Sequence, residues 1–189
     1  MKIIQIVAYY PPHLGGMEQR VKDLSEHLAK RGYPVELFTS NVGCPKNKQL
    51  KSTKNLKINY LPSWEFAHTP IIPSLFFRLM KISKDSIMHI HISQAFVPEI
   101  AYLVSKIRKR PYIAHIRGDP EPSGFFGFLL KPYKRVFLKR VLHNAKKIII
   151  LTNDYRDLIN EKYSINKTKI IVIPNATTFK IVKYKSLSK

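Results

Sequence analysis

The chain has 189 residues, 44% of them hydrophobic and 24% charged, which fits one folded domain with its own core and excludes a disordered chain. Lys and Arg number 33 against 12 Asp and Glu, a net charge of +21; this points to an anionic partner, or to no more than a Lys-rich surface, and leaves the fold open. With Cys44 as its one cysteine, the chain can form neither an intrachain disulfide nor a cysteine-type zinc site, and a reducing compartment fits.

Short apolar runs alternate with amphipathic stretches from end to end, the pattern of βαβ units and a mostly parallel sheet. Lys2–Ala8 reads as a first strand, apolar almost throughout, as a strand buried on both faces must be. It does not read as a signal peptide, because the run is short and leads into Pro11–Pro12 rather than a small-residue cleavage site. A loop, Tyr9–Gly16, precedes a helix in which Met17, Val21, Leu24 and Leu28 recur at helical spacing and which Gly32 is placed to end. Tyr33–Thr39 is the second strand, Asn41–Asn55 a long polar loop, Leu56–Leu61 a short strand, and Ser63–Ser74 an irregular, proline-bearing segment. Leu75–Ile82 predicts a helix, Ile87–Ile92 a strand, Val97–Ile107 a helix, and Pro111–Ile116 a strand before the turn-rich Arg117–Gly124.

Phe125–His143 reads as a helix broken near Pro132. Lys147–Thr152 is a strand, Asp154–Tyr163 a helix capped by Asn153, and Lys169–Ile173 a last strand stopped by Pro174. The expected domain is therefore residues 1–175, an α/β Rossmann-like parallel sheet flanked by helices, with 176–189 a basic tail or the remnant of an interdomain linker. No run approaches the ~20 apolar residues that span a bilayer, so the expected location is cytoplasmic, in solution or peripheral on the inner face of the membrane.

In a doubly wound sheet the ligand sits at the carboxyl ends of the strands, so the loops there are where chemistry belongs. In Tyr10-Pro11-Pro12-His13-Leu14-Gly15-Gly16-Met17-Glu18, two glycines close the first such loop where a helix begins. Glycine lets a ligand approach the backbone, and a helix N-terminus suits a phosphate; a tight turn needing positive φ is the structural alternative. Gly15, Gly16 and His13 are candidates to hold a phosphate or an acceptor. His89-Ile90-His91 ends a strand with both imidazoles on one face. The pair can hold a phosphate, pack, or bind metal. A metal would need a third ligand, for which His13 and His115 are the candidates, and none is expected. In His115-Ile116-Arg117-Gly118-Asp119-Pro120, Arg117 suits phosphate or carboxylate recognition, or pairs with Asp119 to brace the loop. Ile173-Pro174-Asn175-Ala176-Thr177 is a strand stop and a turn.

Taken in order, these four segments resemble the N-terminal domain of glycosyltransferase family 4, whose members have the two-domain GT-B fold. Pro11-Pro12-His13-Leu14-Gly15-Gly16 matches its glycine loop, His89-Ile90-His91 its histidine strand end, and Val172-Ile173-Pro174-Asn175 the start of its interdomain segment. The resemblance implies the acceptor-side half of a retaining, nucleotide-sugar-dependent hexosyltransferase. The glycine loop would lie near the donor phosphates, and no cofactor or metal would be needed, the nucleotide sugar being a substrate. A sugar or lipid-linked acceptor is implied, and a C-terminal donor-binding domain or subunit as partner. Arg117 stands where the family has its active-site His, with His115 two residues earlier on the same side of the strand, so both are carried as catalytic candidates. Asp119, His89 and His91 are carried as donor-phosphate or acceptor contacts. Ala176 and Thr178 stand where the family has Gly and Asp, and the second domain's acidic segment is not in the sequence. The chain therefore reads as a truncated product, a split subunit or a fragment, without transfer activity of its own.

Phe125–Arg140 and Phe76–Lys81 mix large apolar residues with cations. Such stretches suit an anionic membrane surface, or a core-facing helix with a solvated basic back. Two other functions compete: a non-catalytic regulatory or scaffold subunit, and a basic module binding nucleic acid or an anionic surface. Nucleic acid is disfavoured because no helix-turn-helix, zinc finger or RNP-like strand is present.

Overall fold

The computed structural model describes residues 1–118, 128 and 130–175. Asp119, the start of the basic aromatic segment at Phe125 and the tail from Ala176 lie outside the described residues. In chain order the elements are β1 (Lys2–Ile6), α1 (Gly16–Lys30), β2 (Val35–Ser40), β3 (Leu56–Leu61), β4 (Trp64–Phe66), β5 (Thr69–Ile71), α2 (Leu75–Met80), β6 (Ser86–Ile92) and α3 (Val97–Ile107). Then come β7 (Tyr112–Ile116), α4 (Leu130–Tyr133), α5 (Lys139–Asn144), β8 (Lys147–Ile150), α6 (Asn153–Tyr163) and β9 (Ile170–Val172).

Seven strands form one sheet in the order β3-β2-β1-β6-β7-β8-β9, every neighbouring pair parallel. The winding reverses between β1 and β6. In an open α/β sheet this reversal leaves a crevice at the carboxyl ends of the two strands. The Rossmann-like expectation is met.

The strands alternate faces. Ile4, Ile6, Met88, Ile90, Ile92, Tyr112, Ala114, Ile116, Ile148 and Ile150 point into the larger core, with Leu75 and Leu79 of α2, Val97, Ala101 and Val104 of α3, Val141 and Leu142 of α5 and Ile159 of α6. Opposite, α1 lays Val21 on Val7, Tyr10 and Leu37, and Ala29 on Val35 and Leu56. Each fully buried aliphatic side chain contributes roughly 1.5–3 kcal/mol, and burial on the first face explains why every second residue of β1, β6 and β7 is apolar.

The expected boundaries hold with local differences, each with a cause. α1 ends as read: Gly32 takes φ 87, which a Cβ would oppose, and Tyr33 N–H reaches back to the Leu28 carbonyl at 3.1 Å. That contact spends Tyr33 on the helix end, and Pro34 has no N–H, so β2 starts at Val35 rather than Tyr33. Ser63–Ser74 is not wholly irregular; it contains the antiparallel hairpin β4–β5. Thr152, not Asn153, caps α6, its hydroxyl accepting from Tyr155 N–H at 3.4 Å. Pro132 does not break its helix. It sits in the first turn, where no partner for its missing N–H is needed, and the irregularity follows as a π-helical stretch, Lys134–Leu138.

Candidate functional site

At the switch point the loop after β1 is tightly held. Tyr9 Oη donates to Glu65 Oε2 at 3.1 Å, tying the loop to β4, and the Tyr60 hydroxyl donates to the Pro11 carbonyl. The His13 ring stacks on Tyr9 at 4.3 Å between centroids, and His13 Nδ1 lies 3.2 Å from Glu18 Oε1. Gly15 has φ 175, extended backbone open to any residue, so no left-handed turn calls for glycine here. A Cβ on Gly15 would stand 2.0 Å from Glu18 Oε2, whereas one on Gly16 would meet nothing within 4 Å among the described residues. Gly15 thus makes room for the buried Glu18 carboxylate in the first turn of α1. The helix end expected to be free for a phosphate already faces one negative charge of the chain's own.

Beside this loop, three strands put polar side chains on one face of the sheet. Gln5 pairs in register with His89, and His91 with His115. With two residues per pleat, all four point to the α1 side. Their neighbours Ile4, Ile6, Met88, Ile90, Ala114 and Ile116 point to the larger core. The ring centroids lie 4.3 Å (His89–His91), 5.4 Å (His89–His115) and 5.3 Å (His91–His115) apart. The rings keep 8%, 1% and 5% of their exposure for His89, His91 and His115, and Gln5 keeps none.

His91 Nε2–H donates to Gln5 Oε1 at 2.5 Å, which leaves its Nδ1 as a lone pair. Among the described residues, no hydrogen-bond partner reaches His91 Nδ1, His89 Nε2, either ring nitrogen of His115, or Gln5 Nε2. Each such buried group costs on the order of 1–3 kcal/mol. Burial, reinforced by the positive charge of Arg117, pushes the His89 pKa down to about 4 and that of His115 to about 3. Burial holds His91 well below the usual histidine range, with the other two imidazoles and Arg117 adding to the effect. All three are neutral at pH 7. His13, occupied by Tyr9 and Glu18, is not in this cluster.

Arg117 leaves the end of β7 and donates from Nη1 to Asn175 Oδ1 at 2.6 Å, joining the third and fourth sequence segments across 58 residues. Burial lowers the Arg117 pKa, and Arg20 on α1 lowers it further. Two guanidinium groups so placed favour an anion near them. Among the described residues, a Cβ on Gly118 would meet nothing within 4 Å. The loop after β6 is strained: Phe96 takes φ 71, ψ −55, and Val97 N–H reaches the Ala95 carbonyl at 2.9 Å, a γ-turn that a bulky residue rarely enters.

Gln5, Glu18, Arg20 and the Asn175 contact were not singled out from the sequence. Gln5 had a signal: one amide inside an otherwise apolar strand buried on both faces. The other three depend on which loops meet.

The chain matches the family model described as Glycosyltransferase Family 4 over residues 14–178. It is 24% identical over 190 residues to MJ1069 of Methanocaldococcus jannaschii, described as an uncharacterized glycosyltransferase, covering 92% of this chain and 47% of that protein. Its fold is similar to that of Anabaena Alr3699/HepE, solved in complex with UDP, with a TM-score of 0.61 and 12% identity over 94% of this chain and 44% of that one. The chain thus spans about half the length of these relatives. The structural likeness speaks for the fold, the N-terminal Rossmann-like half of a GT-B arrangement. The family match takes in the glycine pair, both histidine strand ends, Arg117 and Asn175, and on it the chain belongs to glycosyltransferase family 4.

Proposed function

We propose that this domain is the acceptor-side half of a retaining glycosyltransferase that uses a nucleotide sugar, working against a second, donor-binding domain. The observation that carries this reading is the meeting at the switch point of the β1 loop, the ends of β6 and β7 and, through the bond between Arg117 and Asn175, the segment after β9. The span of about half of each relative supports a two-domain enzyme, and UDP in HepE supports a nucleotide donor.

Departure of a nucleoside diphosphate develops negative charge, which preorganised cations stabilise. Arg117 is the group to do so, with Arg20 behind it. Its bond to Asn175 fixes the guanidinium before substrate arrives. His115, two residues before Arg117 at the end of β7, is a neutral imidazole and makes no hydrogen bond to it among the described residues. Gly16 leaves the backbone of the β1 loop open to close approach, and His13, half-buried between Tyr9 and Glu18 in that loop, is placed for the acceptor. Glu18 limits how much diphosphate charge the α1 end can take, so Arg117 carries more of it.

The test is UDP binding by calorimetry, then sugar transfer with and without an added donor-binding domain. Binding weakened at least tenfold by Arg117→Ala, with turnover confined to the two-domain form, is expected. Robust transfer by the 189 residues alone would refute the division of labour.

No helix among the described residues is long and apolar enough to cross a membrane. The helix 130–144 buries Leu138, Val141 and Leu142 against the core, yet leaves Phe137 52% exposed beside Arg135 and Arg140; Phe77 on α2 is 66% exposed. We propose that these faces rest on anionic lipid, which fits a lipid-linked acceptor. Salt-sensitive flotation with phosphatidylserine vesicles tests this; no flotation at low salt overturns it.

A further inference from the structure

We propose that His89, His91 and His115 form a binding site for one transition-metal ion of the zinc class, with a fourth position for an anion beside Arg117. The site goes beyond sugar transfer and does not depend on it. It also departs from the family resemblance, which implies no metal.

Four observations carry it. First, the geometry converges: one donor atom from each ring lies within 4.8 Å of the others. Zinc–nitrogen bonds are about 2.0–2.1 Å, so the rings must draw in by roughly 1 Å, which rotation about the broad terminal torsion of each imidazole can supply. Second, the donors are available. His89 Nε2, His91 Nδ1 and both nitrogens of His115 are buried with no hydrogen-bond partner among the described residues.

Third, the outer support is in place. Gln5 accepts from His91 Nε2 at 2.5 Å, the type of contact that sets the tautomer and aims the opposite nitrogen of a metal-bound histidine. Fourth, the frame is rigid: His91 and His115 are register partners on adjacent hydrogen-bonded strands, and Gln5 stands opposite His89 on the third.

The donor set selects the ion. Three imidazoles without carboxylate or thiolate suit zinc, cobalt, nickel or copper, and not magnesium or calcium, which take oxygen ligands. Arg117 repels a bare cation but favours an anionic fourth ligand, such as hydroxide, chloride or phosphate, so a metal–anion pair meets the local charge better than a metal alone. Such an ion would take up one orphaned nitrogen of each ring and tie the ends of β6 and β7 together.

The experiment titrates the chelator-stripped chain with cobalt(II) and follows the visible bands of the four-coordinate ion, then displaces it with zinc. One ion per chain and a raised Tm with zinc are expected. His91→Asn and His115→Asn should each weaken binding at least tenfold, and Gln5→Leu about tenfold. His27→Asn and His68→Asn, on exposed side chains, should leave it unchanged. Because a core histidine variant can fail to fold, the wild-type chain is also followed by side-chain nitrogen–proton NMR. Zinc should move the signals of these three imidazoles among the seven histidines. No uptake of cobalt or zinc, or uptake that shifts only the signals of His13, His27, His68 or His143, overturns the site.

Discussion

The two faces of the central sheet are built from the same strands and made of different material. On the side of α2, α3, α5 and α6, β1, β6 and β7 present Ile4, Ile6, Met88, Ile90, Ile92, Tyr112, Ala114 and Ile116, buried among aliphatic neighbours. One residue along, on the α1 side, they present Gln5, His89, His91 and His115, also buried, with five polar atoms that find no hydrogen-bond partner among the described residues. The first face is where burial of apolar area holds the domain together. The second gives up part of that gain and keeps polar groups under the switch-point crevice. The loss falls in the central strands beside the switch point, the place where open α/β sheets bind ligands and where proteins commonly give up local stability.

The contrast can be broken most severely by acid. The unfolded chain takes up protons on His89, His91 and His115 near pH 6.5, while in the folded protein the values fall to about 4 for His89, about 3 for His115 and well below the usual range for His91. Stability is therefore full above about pH 6.5 and is lost progressively as pH falls from there through about 4 toward 3, several kcal/mol in sum. Urea midpoints that stay level between pH 7.5 and 4.5 would contradict the burial of neutral imidazoles. Next comes a cut into the apolar face: Ile90→Ala should cost about 2–5 kcal/mol in urea unfolding at pH 7.5 with an unchanged pH slope.

On the polar face the expected effects are smaller and non-additive. His91→Leu alone strands Gln5 Oε1 and should cost about 1–3 kcal/mol, whereas Gln5→Leu with His91→Leu removes both partners and should return close to wild type. Additive losses in that cycle would mean that the two do not act as a pair. The smallest change is Asn175→Ala. Its bond with Arg117 is exposed, so unfolding free energy should move by less than about 1 kcal/mol. UDP affinity should fall nonetheless, and a stability loss with unchanged UDP binding would assign the pair to structure alone.

Much of the site was legible, and particular residues show why. His89 and His91 fall two apart in an apolar run, and a period of two places them on one face whatever surrounds them. The glycine pair marks a loop-to-helix junction, and the alternative of a positive-φ turn does not hold: Gly15 is extended and leaves room for Glu18. Arg117 was expected to recognise an anion or pair with Asp119; its described bond goes to Asn175, 58 residues away, which local spacing cannot foresee. Gln5 was readable as an oddity in a buried strand, though not as the partner of His91.

The sequence by itself determined the alternation of strands and helices, the parallel sheet and the four segments at strand ends, because hydrophobic period, glycine and proline act over a few residues. Only the tertiary structure decided which segments touch. The reversal of strand order beside β1 put Gln5, His89, His91 and His115 on one buried face, and the packing of β9 beside β8 carried Asn175 to Arg117. Register between strands distant in sequence is set by fitting a whole apolar face against its helices, and the polar cluster on the other face follows from that fit.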